Sequence, residues 1–301
     1  LIKTGGTASG NERLRIDSNG KIGVGLAPNS WQASTTSKVI QIGNSSVWDY
    51  NLQQFDLGQN FFYDGSNYKG WQIQPGERTV QASLELAIKK ITGKDVRVQG
   101  SGRTDTGVHA LGQVAHYEVS EESKMNSGEW QRALNVNLPK TIRILSVEKA
   151  PIDFHARFSA KAKIYRYEVD TSPVLAPHKV DRVWHHPEKI DGEVLKEACQ
   201  LYVGTHDFAS FAVNRGNGVS VSTERTIFSV DVDSRQDTVS MSFNGGGFLY
   251  KMVRLLVGAA VRVAEGREDI KWIKEMLRDP GRNKCQYCAK PDGLYLVEVS
   301  Y

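Results

Sequence analysis

Several features are scarce in this 301-residue sequence, and each scarcity excludes a class of protein. With only 3 cysteines, an odd number, the chain cannot rely on a disulfide framework, so we expect a reducing, cytoplasmic compartment. No apolar run approaches the roughly 18–20 residues of a membrane span, and no secretory signal is visible at the start. Since no initiator Met is present, we expect a fragment or a trimmed product. The net charge of +4 permits a nucleic-acid partner without requiring one.

Metal-binding patterns are also scarce. Cys285 and Cys288 form an isolated C-x-x-C, and a zinc site would need two more ligands. Cys199 is the third thiol, and none of the 7 histidines has the spacing of a metal ligand. We therefore predict that the protein uses no metal and that these cysteines are small core or surface side chains.

The chain divides into two segments of different composition. The first sixty residues carry 9 of the 72 charged residues and are rich in Gly, Ser, Thr and Asn. Short β-type runs such as Leu14-Arg15-Ile16 and Ile22-Gly23-Val24 lie between turn signals, with no helical periodicity. We predict a β-rich or disordered extension over residues 1–59.

From about residue 60 onward, helical and strand patterns alternate as in an α+β protein, and they repeat in two similar halves, 60–167 and 168–301. The periodicity predicts helices over residues 80–91, 128–138, 194–202, 248–264 and 270–277. It predicts strands over residues 55–63, 96–98, 113–119, 142–147, 163–170, 227–232, 239–243 and 294–299. Gly58 and Gln59 should weaken the start of the first strand.

The run from Gly102 to Ala110 is the most informative part of the sequence. It places Asp105 between glycines and close to Arg103, on a predicted loop before a strand. An aspartate beside glycine commonly caps backbone N–H groups in a turn, and that interpretation stays open. The alternative is a reactive carboxylate held on tight backbone with a cation in reach. A dinucleotide-binding loop is excluded, because Asp105 stands where the third glycine should be.

Arg254 lies inside an apolar predicted helix, where an arginine is rarely buried without a partner. It could form a structural ion pair with any nearby carboxylate. The functional hypothesis is that it pairs with Asp105 and holds that carboxylate in its ionised form.

Tyr165 lies on a predicted strand in which alternation places Tyr165, Tyr167 and Val169 on one face. It could be an ordinary core or surface aromatic. An aromatic face also suits a nucleobase turned out of its stack.

Over residues 63–301 the chain resembles the TruA-type tRNA pseudouridine synthases. The similarity is carried by the runs at 63–72, 102–110, 153–160, 163–167, 204–208, 252–257 and 293–296. The resemblance implies two ferredoxin-like halves whose mixed, largely antiparallel sheets pool around a central cleft. The chain departs from the family's sequence pattern at Gly245-Gly246-Gly247 and at Tyr250-Lys251.

The resemblance also implies a function. It implies an isomerase that converts uridine to pseudouridine in the anticodon stem-loop of tRNA, as a homodimer, with no cofactor and no metal. Asp105 would be the catalytic residue and Arg254 would lie against it. Tyr165 would stack on the target uracil, and Arg103 would contact RNA backbone or fill the gap left by the base.

The extension resembles a different kind of protein. Residues 11–25 and 38–44 are similar to the repeat-like β segments of phage tail fibres, which suggests a chimera joined near residues 58–70. Two other functions therefore stay open, a non-catalytic RNA-binding module and a phage structural fusion protein.

Overall fold

The computed structural model describes residues 54–118, 125–213 and 222–301, with side chains from residue 61 onward, and the backbone of five short strands within residues 3–47. These five strands form one sheet in chain order: β1 (Lys3–Thr4), β2 (Leu14–Ile16), β3 (Ile22–Val24), β4 (Ile40–Ile42) and β5 (Ser45–Val47). The other residues of the extension lie outside the described residues. The predicted resemblance to tail-fibre segments falls largely on them.

The remaining elements alternate between strand and helix. The strands are β6 (Gln54–Tyr63), β7 (Gln99–Gly100), β8 (His109–Glu118), β9 (Ile142–Ile144), β10 (Glu148–Ala150), β11 (Ala162–Asp170), β12 (Trp184–His185), β13 (Gly204–Asp207), β14 (Glu224–Arg235), β15 (Thr238–Gly245) and β16 (Leu294–Ser300). The helices are α1 (Val80–Thr92), α2 (Ser127–Asn137), α3 (Gly192–Gln200), α4 (Met252–Ala264) and α5 (Ile270–Arg278).

All of these strands belong to one 11-stranded mixed sheet with the main order β10-β6-β8-β16-β11-β15-β14-β13. The early strands and the late strands meet where β8 pairs with β16 in parallel, with Tyr295 opposite His109. Most other pairs are antiparallel, including the β14–β15 hairpin, in which Val232 faces Met241. The predicted α+β class with one pooled mixed sheet is confirmed.

Helices α1 and α4 show why the sequence forms helices here. Thr79 caps α1 by accepting a hydrogen bond from the backbone of Ala82, and Gly93 ends the helix at a φ of 73°. Four of the apolar side chains of α1, Val80, Leu84, Ala87 and Ile88, are buried, and nearly all of α4 is buried. Burial on this scale is the main source of stability for such helices.

Strand β6 forms as predicted, although its start is irregular. Its pairing with β8 shifts register between Leu57 and Phe61, across the predicted weak point. Phe61 and Tyr63 are buried while Phe62 between them is exposed, as period-two alternation requires.

Three predicted elements differ from the structure, and one of them, the strand over residues 142–147, ends at Ile144. Residues 96–98 are not a strand, because the backbone of Val98 is bonded to α1 side chains instead: its N–H donates to Glu85 Oε1 and its carbonyl accepts from Gln81 Nε2. Helix α4 begins at Met252 rather than at residue 248, because Lys251 has a φ of 61°, outside the right-handed helical region.

Within the described part of the chain, no helix has both the length and the apolar character needed to cross a bilayer.

Candidate functional site

Asp105 lies on the loop that joins β7 to β8, as the sequence predicts. The loop turns tightly after it: the Val108 N–H donates to the Asp105 carbonyl at 3.2 Å, and Gly107 has a φ of 79°. Left-handed backbone of this kind favours glycine. Gly107 therefore shapes the turn that presents the Asp105 carboxylate.

A second segment, residues 65–71, holds this loop by direct backbone contact. The Trp71 N–H donates to the Thr104 carbonyl at 3.1 Å. A Cβ atom on Gly70 would lie 2.6 Å from that same carbonyl oxygen, and one on Gly65 would lie 2.1 Å from the Val108 carbonyl oxygen. Since neither approach tolerates a side chain, these glycines set the position of Asp105 from outside its own loop.

Side-chain hydrogen bonds fix both ends of the loop to the sheet. The Tyr63 hydroxyl lies 2.7 Å from Thr104 Oγ1, and the Gln113 amide donates to the Gly102 carbonyl at 3.0 Å. Ser101 donates to the same Gln113 side chain at 2.6 Å. The backbone on both sides of Asp105 is therefore attached to β6 and β8, which leaves the carboxylate little freedom to move.

Arg254 lies against Asp105, as hypothesised from the sequence. Its Nη1 is 3.3 Å from Asp105 Oδ2, and the two side chains are 12% and 16% exposed. The Arg254 Nε donates to the Ala289 carbonyl at 2.7 Å. That carbonyl can come so close because Gly258 lets residues 287–289 pack onto α4: a Cβ there would lie 1.9 Å from the Tyr287 oxygen. The guanidinium is thus oriented by a second contact while it pairs with the carboxylate.

Tyr165 points from β11 into the same region and is 8% exposed. Its ring meets Phe248 edge to face at 5.1 Å, and its hydroxyl lies 3.5 Å from where a Cβ on Gly102 would stand. Burial raises the pKa of Tyr165 well above 10, so its hydroxyl stays protonated at neutral pH. Arg103, next to Asp105, is exposed.

These four residues line one cleft of about 910 Å³. Among the described residues of its lining, Asp105 carries the sole carboxylate, against eight basic side chains: Arg97, Arg103, Arg157, Lys163, Arg225, Lys251, Arg254 and Lys284. Such a lining attracts a polyanion, because its cations can neutralise phosphates. It also places one carboxylate where a bound polyanion would reach it.

Sequence reasoning missed the role of Lys163 in this cleft. Its Nζ donates to the Ser101 carbonyl at 2.5 Å, which connects β11 to the Asp105 loop. Burial, and then the charge of Arg157, lower the pKa of Lys163 to about 8. A signal was present, because Lys163 stands two residues before Tyr165 and so shares its face of the strand.

The three cysteines and two of the histidines, His155 and His206, have structural surroundings. Cys199 and Cys285 are buried and Cys288 is exposed, and within the described residues no cluster of three or more metal-ligating side chains occurs. His155 accepts hydrogen bonds from the backbone of its own loop, and His206 bonds the Val203 carbonyl at 3.1 Å.

Comparison with known proteins places these features in a family context. The family model described as tRNA pseudouridine synthase matches residues 61–159 and 198–301. A tRNA pseudouridine synthase A of Akkermansia muciniphila is 45% identical over 244 residues, covering 79% of this chain and 92% of the relative. The tRNA pseudouridine synthase A of Oceanobacillus iheyensis is 41% identical over 240 residues, covering 79% and 94%. That of Geobacillus sp. strain WCH70 is 41% identical over 245 residues, covering 79% and 95%.

Proposed function

This chain belongs to the tRNA pseudouridine synthase family, and from that membership we propose that its cleft isomerises uridine to pseudouridine on the 3′ side of the anticodon stem-loop of tRNA. The supporting observation is the pairing of Asp105 with Arg254 inside a cleft whose other charged lining residues are basic. A polyanionic substrate would bind to those cations, and its reacting nucleotide would then meet the single carboxylate.

The reaction is an internal rearrangement. The bond between uracil nitrogen and the ribose carbon C1′ breaks, the uracil turns, and its carbon 5 bonds to the same ribose carbon. The proton on carbon 5 is lost and a proton returns to the nitrogen, so atoms and electrons balance without an oxidant, a reductant or water. Asp105 acts either as the nucleophile at C1′ or as the base that removes a ribose proton. For this balance the proposed reaction needs no cofactor and no metal.

The other site residues have separate proposed roles. Arg254 orients Asp105 and stabilises its negative charge, since it already holds a second contact to the Ala289 carbonyl. Tyr165 stacks on the detached uracil and keeps it from escaping while it turns, because an aromatic face accepts a flipped base. Arg103 is exposed beside Asp105 and contacts the RNA backbone or fills the space that the flipped base leaves.

We further propose a homodimer in the cytoplasm that shares one tRNA between its subunits. We propose to divide the enzyme region into the halves 60–167 and 168–301, with β11 running across the boundary.

Residues 1–59 remain a proposed fusion with a tail-fibre-like segment, and long-read sequencing of the source locus tests it. A locus that lacks a continuous reading frame across codons 50–80 would make the fusion an assembly artefact.

The test of the function is release of tritium from tRNA labelled at uracil carbon 5, measured with the full chain. We expect release with the wild-type protein and none with Asp105→Asn, which should still bind tRNA. Binding without release by the wild-type protein would identify a non-catalytic RNA-binding module instead. Light scattering completes the test, because a trimer would favour a phage structural fusion over the proposed dimer.

A further inference from the structure

Phe158 is an exposed aromatic side chain at the cleft, and the proposed mechanism does not use it. It is 75% exposed. Of the large apolar side chains that are exposed among the described residues, it is the sole aromatic that lines the cleft. A single exposed phenyl ring is common on protein surfaces, so its setting has to show whether it marks a binding surface.

The loop that carries Phe158 is fixed by its own hydrogen bonds. All five backbone N–H groups of residues 155–159 are bonded. His155 N–H donates to Ser159 Oγ at 3.0 Å, and the Ser159 N–H donates back to the His155 carbonyl at 2.9 Å. The N–H groups of Arg157 and Phe158 both donate to His155 Nδ1, at 3.0 and 3.3 Å. The ring therefore projects from a rigid turn, not from a mobile one.

The turn is also attached to the body of the protein through Ala156, which is fully buried. The Ala156 N–H donates to His116 Nδ1 at 3.1 Å, and its carbonyl accepts from the Tyr301 hydroxyl at 2.7 Å. Burial, and then the charge of His155, lower the pKa of His116 to about 4. His116 is therefore neutral at physiological pH and keeps the lone pair that accepts this hydrogen bond.

Three basic side chains, those of Arg157, Lys163 and Arg225, line the same cleft as this ring. The Arg157 guanidinium lies 5.4 Å from the Phe158 centroid. Burial, and then the charge of Arg157, lower the pKa of Lys163 and of Arg225, so Arg157 repels each of these two groups. A bound phosphate would relieve that repulsion, and no carboxylate other than Asp105 lines the cleft in the described residues.

An aromatic platform beside a cationic cluster is the arrangement that binds single-stranded nucleic acid, with a base on the ring and its phosphate on the cations. We propose that Phe158, with Arg157, Lys163 and Arg225, forms a subsite for an unpaired nucleotide of the tRNA that neighbours the target uridine. This inference rests on the proposed function. The subsite holds the strand on one side of the flipped nucleotide, so it contributes to tRNA binding and leaves the bond-making step to the residues around Asp105.

The first test is equilibrium binding of an unmodified full-length tRNA transcript to the full chain. We expect Phe158→Ala to raise Kd about 5- to 50-fold, and Phe158→Trp to bind within about 2-fold of wild type, because base stacking tolerates any aromatic ring. Ile152→Ala is the matched control: Ile152 is 72% exposed, lies near the same loop and does not line the cleft, so its Kd should not change. A wild-type Kd in Phe158→Ala would overturn the proposal.

A second probe separates stacking from general loss of binding. A fully paired RNA duplex offers no unstacked internal base, so Phe158→Ala should bind it as wild type does. An equal loss on duplex and on tRNA would overturn the assignment of Phe158 to an unpaired base.

In turnover, KM should rise in Phe158→Ala while kcat stays within about 3-fold, because remote binding groups that act equally before and during the reaction affect KM. A wild-type protein that binds tRNA but forms no pseudouridine would refute the proposed function, while the binding arms would still decide the subsite.

Discussion

The two walls of the cleft are built in different ways. The aspartate wall, residues 63–72 and 101–108, is irregular backbone positioned by glycines and backbone hydrogen bonds. The arginine wall, β11 and α4, is regular structure positioned by side chains buried in the core. Each wall supplies one half of the Asp105–Arg254 pair across 149 residues of sequence.

This difference teaches where each wall is vulnerable. The aspartate wall cannot accept a side chain at Gly65 or Gly70, because backbone oxygens lie where a new Cβ would stand. The arginine wall has one such position, Gly258, but its charged residue also needs a partner, since an unpaired buried charge is costly. Substitutions in each wall distinguish these two kinds of sensitivity.

The largest effect should come from Asp105→Asn, which keeps the shape of the aspartate wall and removes its chemistry. We expect at least an about 10³-fold fall in pseudouridine formation, with tRNA binding and melting temperature close to wild type. Tritium release measures pseudouridine formation, and thermal melting measures the melting temperature. The control is Asp231→Asn, an exposed carboxylate on β14 that should be silent. Residual activity near that of wild type would remove Asp105 from the proposed mechanism.

Arg254→Ala tests the contact between the walls. We expect an about 10²-fold loss of kcat and a loss of about 2 kcal/mol in the free energy of unfolding. The expected loss of stability is smaller than for a fully buried ion pair, because both side chains keep slight exposure. In a double-mutant cycle with Asp105→Asn, the second substitution should add little to the first, since the pair acts as one unit. Fully additive losses would mean that Arg254 acts separately from Asp105.

Gly70→Ala tests the backbone packing of the aspartate wall, with Gly76→Ala as its matched control. Both glycines have a positive φ, 84° and 73°, but a Cβ at Gly76 meets nothing within 4 Å whereas one at Gly70 would lie 2.6 Å from the Thr104 oxygen. We expect Gly76→Ala to cost about 1 kcal/mol of stability and leave activity unchanged. Gly70→Ala should cost about 2–3 kcal/mol and lower kcat about 10-fold, because the Asp105 loop must move. Equal effects of the two variants would show that backbone strain alone matters.

The smallest effect should appear at Lys163, which links the walls through the Ser101 carbonyl. Its pKa of about 8 lies below the ordinary 10.5, so the folded protein releases this proton before the unfolded chain does. As the pH rises from 7 to 9 the cleft loses one positive charge, and KM for tRNA should rise about 3-fold. In Lys163→Met, KM should already be raised and should not vary with pH over this range. Lys161→Met, at an exposed lysine outside the cleft, should keep the wild-type profile.

The lowered pKa of Lys163 has the opposite consequence for stability: a higher pH weakens tRNA binding but raises the free energy of unfolding. Between pH 8 and 10.5 the unfolded chain binds more protons at Lys163 than the folded protein, so this lysine makes the free energy of unfolding rise with pH in that window. Denaturant unfolding of the wild-type protein and Lys163→Met at pH 8 and 9 measures the difference. A larger rise in the variant than in the wild-type protein would contradict the assigned direction of the pKa shift.

Much of this fold follows from local pattern. The helix over residues 80–91 and the strand over 163–170 were predicted nearly to their ends, because one apolar face and strict alternation are local properties. The predicted strand at 96–98 failed because α1 side chains bind its backbone, and the predicted start of α4 failed because of the backbone at Lys251. Both failures depend on contacts or conformations that periodicity does not encode.

The sequence by itself determined which residues are candidates: a carboxylate among glycines, an arginine in an apolar helix and a tyrosine on an alternating strand. Only the tertiary structure decided that these three meet in one cleft, that Lys163 joins them and that Phe158 stands exposed beside a cluster of cations. The physical reason is distance along the chain. Hydrogen bonding and side-chain alternation act between near neighbours, whereas the charge of a cleft is set by residues that come together only when the sheet has formed.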